Sequence, residues 1–440
     1  MRLNAQAFLN FAKARSQIKD AKTLSEASCA DDYDPNSMPV DQARLLIRQF
    51  LAPIGGTLRV PIRSALNRVL AEDIVSPVNV PAHRNSAMDG WAVRFADLKA
   101  DGESVLGEIG ASFAGKPFGK AINAGECVRI MTGGVVPEGA DCVVMQERAK
   151  ANDKLISIAP GQKLGQNLRH AGEDLKAGAI ALPKGHSVRP AELGLIASLG
   201  IGEVSVYRPL RVAFFSTGDE LRSIGSTLQE GQIYDSNRYT LYGMLTQLGC
   251  EAYDMGVVAD DPILIENAFG EASKIADVVI TSGGVSVGEA DFVKQMLNKL
   301  GEVLFWKIAM KPGRPLAYGK IGNAHFFGLP GNPVSVMVTF YQFVRDALLV
   351  LMGRSNIEPY PSLKALCTSP IKKAPGRTEF QRGILSQDVQ GNWSVKVTGD
   401  QGSGILKSMS DANCFIILSQ SQGNIEPGAM VDVQILEGVT

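Results

Sequence analysis

Three glycine-containing stretches carry the residues best suited to chemistry. They are STGDEL (216–221), TSGGVSVGEAD (281–291) and GLPGNPVS (328–335). Each follows an apolar run and so reads as a loop leaving a strand. Glycines let backbone N–H groups come close to phosphate oxygens. In the second loop Ser282, Gly283, Gly284, Ser286 and Gly288 are the candidate contacts, and in the third Pro330, Gly331, Asn332 and Pro333. Asn332 can cap the next helix and Pro333 can start it, which would leave a helix N-terminus for an anion. Any one loop could be a plain βα turn; three together point to a ligand. The pattern is neither G-x-G-x-x-G with a ribose acid nor G-x-x-x-x-G-K-[ST], which disfavours a nicotinamide enzyme or a P-loop ATPase.

Acids stand beside these loops: Asp219, Glu220, Glu289 and Asp291. Carboxylates repel phosphate unless a cation lies between them, and Mg²⁺ commonly bridges one or two carboxylates to phosphate oxygens. Some of these acids could instead favour a helix first turn. The segment FWKIAMKPGRPLAYG (305–319) supplies Lys307, Lys311 and Arg314 among apolar residues. That reads as a cationic clamp for an anion, or else as a solvated edge strand. VPAHRNSAMDGWAVR (80–94) has turn chemistry, and an Asx-type turn alone would account for its Asp89.

The elements that must hold these loops follow from periodicity. Residues 209–356 alternate apolar strands with helical patterns, which predicts a three-layer α/β/α domain with a mainly parallel sheet. Asp261 and Pro262 mark one helix start. The loops would gather beyond the carboxyl ends of the strands. The run Val334–Met352 is broken by Arg345 and Asp346 and reads as a buried helix rather than a membrane span. Residues 81–173 show short strands between glycine turns, and 357–440 read as a small C-terminal β-barrel or sandwich. Helices are predicted over 40–51, near Ile62–Leu70, over 193–200 and at EADFVKQMLNKLG (289–301). Residues 1–38 are a polar leader.

Composition narrows the classes. The chain has 440 residues and a formal net charge of −1, so no global basic field favours nucleic acid or an anionic membrane. Its six cysteines form no C-x-x-C pair and its four histidines no H-E-x-x-H, which argues against a zinc site and for reduced thiols. The N-terminus lacks a signal-peptide core, and a cytoplasmic location is expected.

Seven motifs, NSAMDGWAVR, RIMTGGVVPEGAD, STGDEL, IYDSN, TSGGVSVGEADF, KPGRPLAYG and GLPGNPVS, resemble in order and spread the MoeA family of molybdopterin molybdenumtransferases, to which part of gephyrin is related. The resemblance runs from about residue 40 to the end. It implies insertion of molybdate into adenylylated molybdopterin, with release of AMP and a requirement for Mg²⁺. It also implies an elongated homodimer of four-domain protomers, in which 39–80 and 174–208 form one discontinuous domain. Transient contact with the adenylyltransferase and with downstream cofactor-handling proteins would follow.

Motif by motif, the resemblance carries roles onto Asp89, Thr132, Arg169 and Asp174, onto Glu220 and Asp291 as metal-side acids, and onto Lys307 and Lys311. Asp219 and Asp235 fall inside its STGDEL and IYDSN motifs. Arg382 of EFQRG and Ser403 of DQGSG match positions linked to the anion site. Asp89, Thr132 and Asp174 would reach the cleft across the dimer. Trp91 departs from the usual Tyr, and His83-Arg84 adds positive charge before Asn85. A non-catalytic gephyrin-like scaffold is the alternative. The retained acids and lysines, with no separate cofactor domain or long linker, favour the enzyme.

Overall fold

The computed structural model describes residues 37–284 and 301–436. Ser286, Gly288, Glu289 and Asp291, the helix predicted after them and the leader up to Asn36 lie outside the described residues. The described chain divides into two compact units. One holds the residues up to Leu58, Asn67–Val69 and everything from Tyr207 onward; the other holds Arg59–Leu66 and Leu70–Val206.

The first unit is built on a six-stranded sheet. Its order is Glu251–Val258, Arg211–Thr217, Val278–Ser282, Ala324–Leu329, Pro315–Ile321 and Gly301–Lys307. The first four strands are parallel, and the last two add antiparallel pairs at one edge. Alternation along the strands creates the three layers. Val212, Phe214, Val278, Ile280 and Phe327 face one core with Leu241, Leu245 and Val336. Ala213, Phe215, Val279 and Phe326 face the other with Ile265, Phe269 and Ala272. The helix Pro262–Ile275 starts as its sequence predicts: Pro262 is its first residue and Asp261 accepts the Ile263 and Leu264 amides.

The segment Pro333–Leu351 is long and apolar enough to cross a membrane, but it is mostly buried within the unit. A π-helical turn, Phe340–Val344, interrupts it. Five further strands close into a barrel: Thr378–Gln387, Trp393–Val397, Ser362–Cys367, Met430–Ile435 and Cys414–Leu418, the last pairing back with the first. Met310–Lys311 joins that barrel in parallel with Thr378–Glu379.

The second unit contains the six-stranded sheet Cys142–Met145, Gly90–Val93, Glu126–Ile130, Ser104–Ser112, Leu155–Ile158 and Ala149–Asn152. A separate core there joins Ala65, Leu70 and Ile74 to Leu182, Ile196 and Val206. The helix expected near Ile62–Leu70 is a single 3₁₀ turn, Ile62–Ala65. Asn67 takes φ 63°, and the Leu70 and Ala71 amides donate to the carbonyls of His186 and Ser205 instead of to a helix. Apolar spacing alone could not distinguish these two destinations for the backbone donors.

Candidate functional site

The strands Arg211–Thr217, Val278–Ser282 and Ala324–Leu329 end side by side, and their loops open into a cleft of about 1350 Å³. Contact between the loops depends on Gly283. Its φ is 93°, and a Cβ there would lie 2.5 Å from the Thr217 carbonyl oxygen. Gly284, Pro330, Gly331, Asn332 and Pro333 line the same cleft. Asn332 precedes the helix as its N-cap, yet its exposed side chain makes no capping bond, which corrects the expected role. The Val334 amide donates instead to the Ser403 carbonyl at 3.1 Å, tying this helix start to the 400–404 turn.

The cationic wall comes from the segment joining the sheet to the barrel. Lys307 ends the edge strand Gly301–Lys307, and Lys311 lies opposite Glu379 of the first barrel strand. The Ile308 amide donates to the Arg314 carbonyl at 2.7 Å, so the chain folds back and brings Lys307, Lys311 and Arg314 to one cleft. Lys372 and Arg377 add charge from the barrel side. Neither was among the candidate residues, although the basic stretch IKKAPGRTEF was a visible signal. Lys373 of that stretch is buried and donates to the Gln422 carbonyl at 2.9 Å.

The acids divide into exposed and buried groups. Glu220 is exposed, lines the cleft and lies over Gly218. Asp260, which no motif in the sequence singles out, also lines it. Asp219 is not among the lining residues; its Oδ1 accepts the Asp260 amide at 3.1 Å. Asp235 is buried, pairs with Arg238 at 2.7 Å and accepts the amides of Asn237 and Arg238. Its carboxylate thus organises the following helix start. Ser282 is also buried, with its hydroxyl receiving Asn237 Nδ2 at 2.7 Å.

Arg382 lines the same cleft, yet most of its guanidinium is engaged by the protein itself. It is 1% exposed, and its guanidinium donates to Ser408 Oγ at 2.9 Å and to the carbonyls of Gln401 and Gly402 at 3.1 and 2.9 Å. Burial pushes its pKa down to about 10, against the pull of Asp400. It therefore stays charged at neutral pH while bracing the turn that contains Ser403.

Among the described residues, no group of three His, Cys, Asp or Glu side chains could enclose a metal ion. An all-protein cage is thus not formed there. Glu220 offers the hard oxygen donor that suits Mg²⁺, an ion that keeps several waters and commonly bridges a carboxylate to phosphate.

In the second unit, Asp89 Oδ1 accepts the Thr132 amide at 2.7 Å and the Thr132 hydroxyl at 2.8 Å. These two bonds, the amide first, hold its carboxyl below the usual carboxylate range, and the charge of Arg129 adds to them. Arg169 pairs with Asn85, and the Asp174 amide donates to the Val80 carbonyl at 3.0 Å. Thr132, Arg169 and Asp174 are thus each joined to the single segment 80–89. Arg129 also stacks over Trp91, 4.2 Å from the ring centre, and the Trp91 indole donates to Glu108 at 2.8 Å.

Comparison with known proteins agrees along nearly the whole chain. Residues 38–200 match the MoeA N-terminal region, domains I and II. Residues 213–349 match a probable molybdopterin binding domain, and 364–436 the MoeA C-terminal region, domain IV. The molybdopterin molybdenumtransferase of Haemophilus influenzae is 47% identical over 90% of this chain and 98% of its own length. Gephyrin of Dictyostelium discoideum is 35% identical over 90% of this chain, which spans 62% of that longer protein. The crystal structure of the molybdopterin biosynthesis moeA protein from Pyrococcus horikoshii OT3 superposes with a TM-score of 0.78 at 30% identity. It covers 91% of this chain and 100% of that one.

Proposed function

The chain belongs to the MoeA family of molybdopterin molybdenumtransferases, and from that premise we propose how its residues divide the work of inserting molybdate into adenylylated molybdopterin. The carrying observation is the cleft itself, where glycine-lined strand ends face Lys307, Lys311 and Arg314. The backbone donors of Gly284 and Gly331 receive the pyrophosphate that joins pterin and adenylate, while the Gly283 amide ties the two turns by donating to the Leu329 carbonyl at 3.2 Å. Lys307 and Lys311 hold the molybdate dianion and balance charge on the departing phosphate. Water supplies the oxygen that replaces the broken phosphoanhydride P–O bond, so AMP leaves as an anion and the pterin keeps its own phosphate; the two dithiolene sulfurs bond to molybdenum as molybdate gives up an oxygen, which leaves as water with the two thiol protons.

Glu220 would hold Mg²⁺, together with Asp291, which lies outside the described residues. When bound, the ion supplies neutralisation of phosphate charge. Ionised Asp89, fixed by Thr132, belongs to the same reading, as do Arg169 and Asp174. So do a working homodimer, a cytoplasmic setting and transient contacts with the adenylyltransferase and downstream cofactor-handling proteins.

The test is direct. Purified chain is incubated with adenylylated molybdopterin, molybdate and Mg²⁺, and AMP and active cofactor are measured. Release of both, lost when either molybdate or Mg²⁺ is omitted, is the expected result. Tight binding of the adenylylated pterin without any AMP would leave a scaffold in place of the enzyme. Light scattering on the same sample reads the dimer; a fully active monomer would overturn that part.

A further inference from the structure

Asn237 lies in the IYDSN stretch, and its side chain joins turns of the cleft that are distant in sequence. It is the first residue of the helix Asn237–Gln247. Its Nδ2 donates to Ser282 Oγ at 2.7 Å and to the Gly331 carbonyl oxygen at 2.7 Å. The amide orientation follows from chemistry, because the Gly331 carbonyl can only accept. Asn237 therefore spans the turn after Val278–Ser282 and the turn after Ala324–Leu329.

The base of this bridge is rigid. Asp235 Oδ1 accepts the Asn237 and Arg238 amides at 3.1 and 3.3 Å, and Asp235 Oδ2 takes Arg238 Nε at 2.7 Å. Arg238 Nη1 then reaches Asp254 at 2.8 Å. Asn237 is 6% exposed, and its buried Oδ1 has no hydrogen-bond partner among the described residues. Leaving a buried acceptor unsatisfied is costly. An apolar side chain would fill that space without the cost, so packing alone gives no reason for an amide.

We propose that Asn237 is a positioning residue for the phosphate-bearing substrate. Its two-donor bridge sets the spacing between the Ser282–Gly284 turn and the Pro330–Asn332 turn, so that N–H groups of both meet the pyrophosphate together. This inference rests on the cleft reading above and adds to it the residue that fixes the cradle's width.

Asn237→Ala and Asn237→Asp test it, with AMP and adenylylated molybdopterin as probes. Both variants are expected to raise KM for the adenylylated pterin, and Kd for AMP, on the order of tenfold. The concentration of molybdate for half-maximal rate stays as in the wild type. Aspartate keeps the volume but turns an acceptor toward the Gly331 carbonyl, so its effect matches or exceeds that of alanine. Ser282→Ala removes one of the two bonds and gives a smaller rise. Combined with Asn237→Ala it adds less than its single effect, because the two residues share that bond.

A merely structural role would lower Tm and the active fraction, and hence kcat, while KM and the AMP Kd stayed put. That result would overturn the proposal, as would wild-type KM and Kd in both Asn237 variants. A wild-type chain that bound neither probe would overturn the cleft reading, and the proposal with it.

Discussion

Replacing Arg382 separates a ligand contact from a structural brace. The resemblance links this residue to the anion site, and it lines that cleft, but its hydrogen bonds give it a bracing task as well. Its guanidinium bonds to Ser408 Oγ and to the carbonyls of Gln401 and Gly402, and its own amide and carbonyl are both held by the Gln401 side chain. Arg382→Ala would leave these carbonyls facing a cavity. Hydrogen bonds to a charged donor are each worth roughly 1.5–3 kcal/mol, but three on one group are not additive. A loss of about 3–5 kcal/mol is expected, in the range for breaking a buried polar network. Arg382→Lys keeps the charge, but its single ammonium lacks the planar fork, so an intermediate loss follows.

Urea unfolding followed by tryptophan fluorescence reads the loss, and hydrogen exchange over residues 399–404 localises it. Ser403 accepts the Val334 amide, so loosening the turn should also reach the helix start that lines the cleft. KM should therefore rise together with exchange in the turn. An Arg382→Ala protein with wild-type unfolding and wild-type exchange, changed only in its half-saturating ligand concentration, would refute this reasoning and restore Arg382 as a direct contact.

His325 is 5% exposed, with its pKa lowered to about 4, first by burial and then by Lys320. Between the ordinary value near 6.5 and 4 the unfolded chain binds a proton that the folded chain refuses, so stability falls as pH drops, by up to about 3 kcal/mol. Unfolding midpoints from pH 7 to 4 should show this slope and His325→Asn should flatten it; an equal slope in both would exclude His325 as its source. Gly283→Ala should cost at least about 1–3 kcal/mol through its positive φ and its collision with the Thr217 carbonyl, read as a lower Tm and a higher KM for the pterin; wild-type values would show that the loops need not touch. Lys311→Ala should raise the molybdate concentration for half-maximal rate on the order of ten- to a hundredfold. Titration of each substrate at saturating levels of the other checks this, and an effect confined to the pterin would remove Lys311 from the molybdate contact.

The α/β domain was legible because its signals are local. Val212 and Phe214 alternate with Ala213 and Phe215 within one short run, and that alternation alone predicts a strand covered on both faces. Asp261-Pro262 announces a helix start within two residues. The gathering of the turns that carry Gly218, Gly283 and Gly331 was legible too, since strand order in a parallel sheet sends its loops to one side; Lys307 ends, and Lys311 follows, an edge strand in an antiparallel pair, and only the resemblance tied them to these turns. Ile62–Leu70 failed because its apolar spacing suits either a helix or an extended segment. The choice fell to His186 and Ser205, more than a hundred residues along the chain, whose carbonyls take the Leu70 and Ala71 amides.

The polar residues of the cleft show a deeper limit of the same kind. In sequence Arg382 and Lys311 look alike, each a cation near glycine. In the fold both line the cleft, but Lys311 is exposed, while Arg382 is buried against the carbonyls of a turn some twenty residues further on. Asp235 and Glu220 divide in the same way: one is buried on Arg238 and two amides, the other is exposed beside Gly218. A motif records which residues the site needs without recording whether each faces the ligand or holds what does. Burial and the identity of the bonded partner make that distinction, and both depend on contacts remote in sequence. A variant that shifts Tm together with KM marks a brace such as Arg382. One that shifts a single substrate's half-saturation at constant Tm marks a contact, the behaviour expected of Lys311.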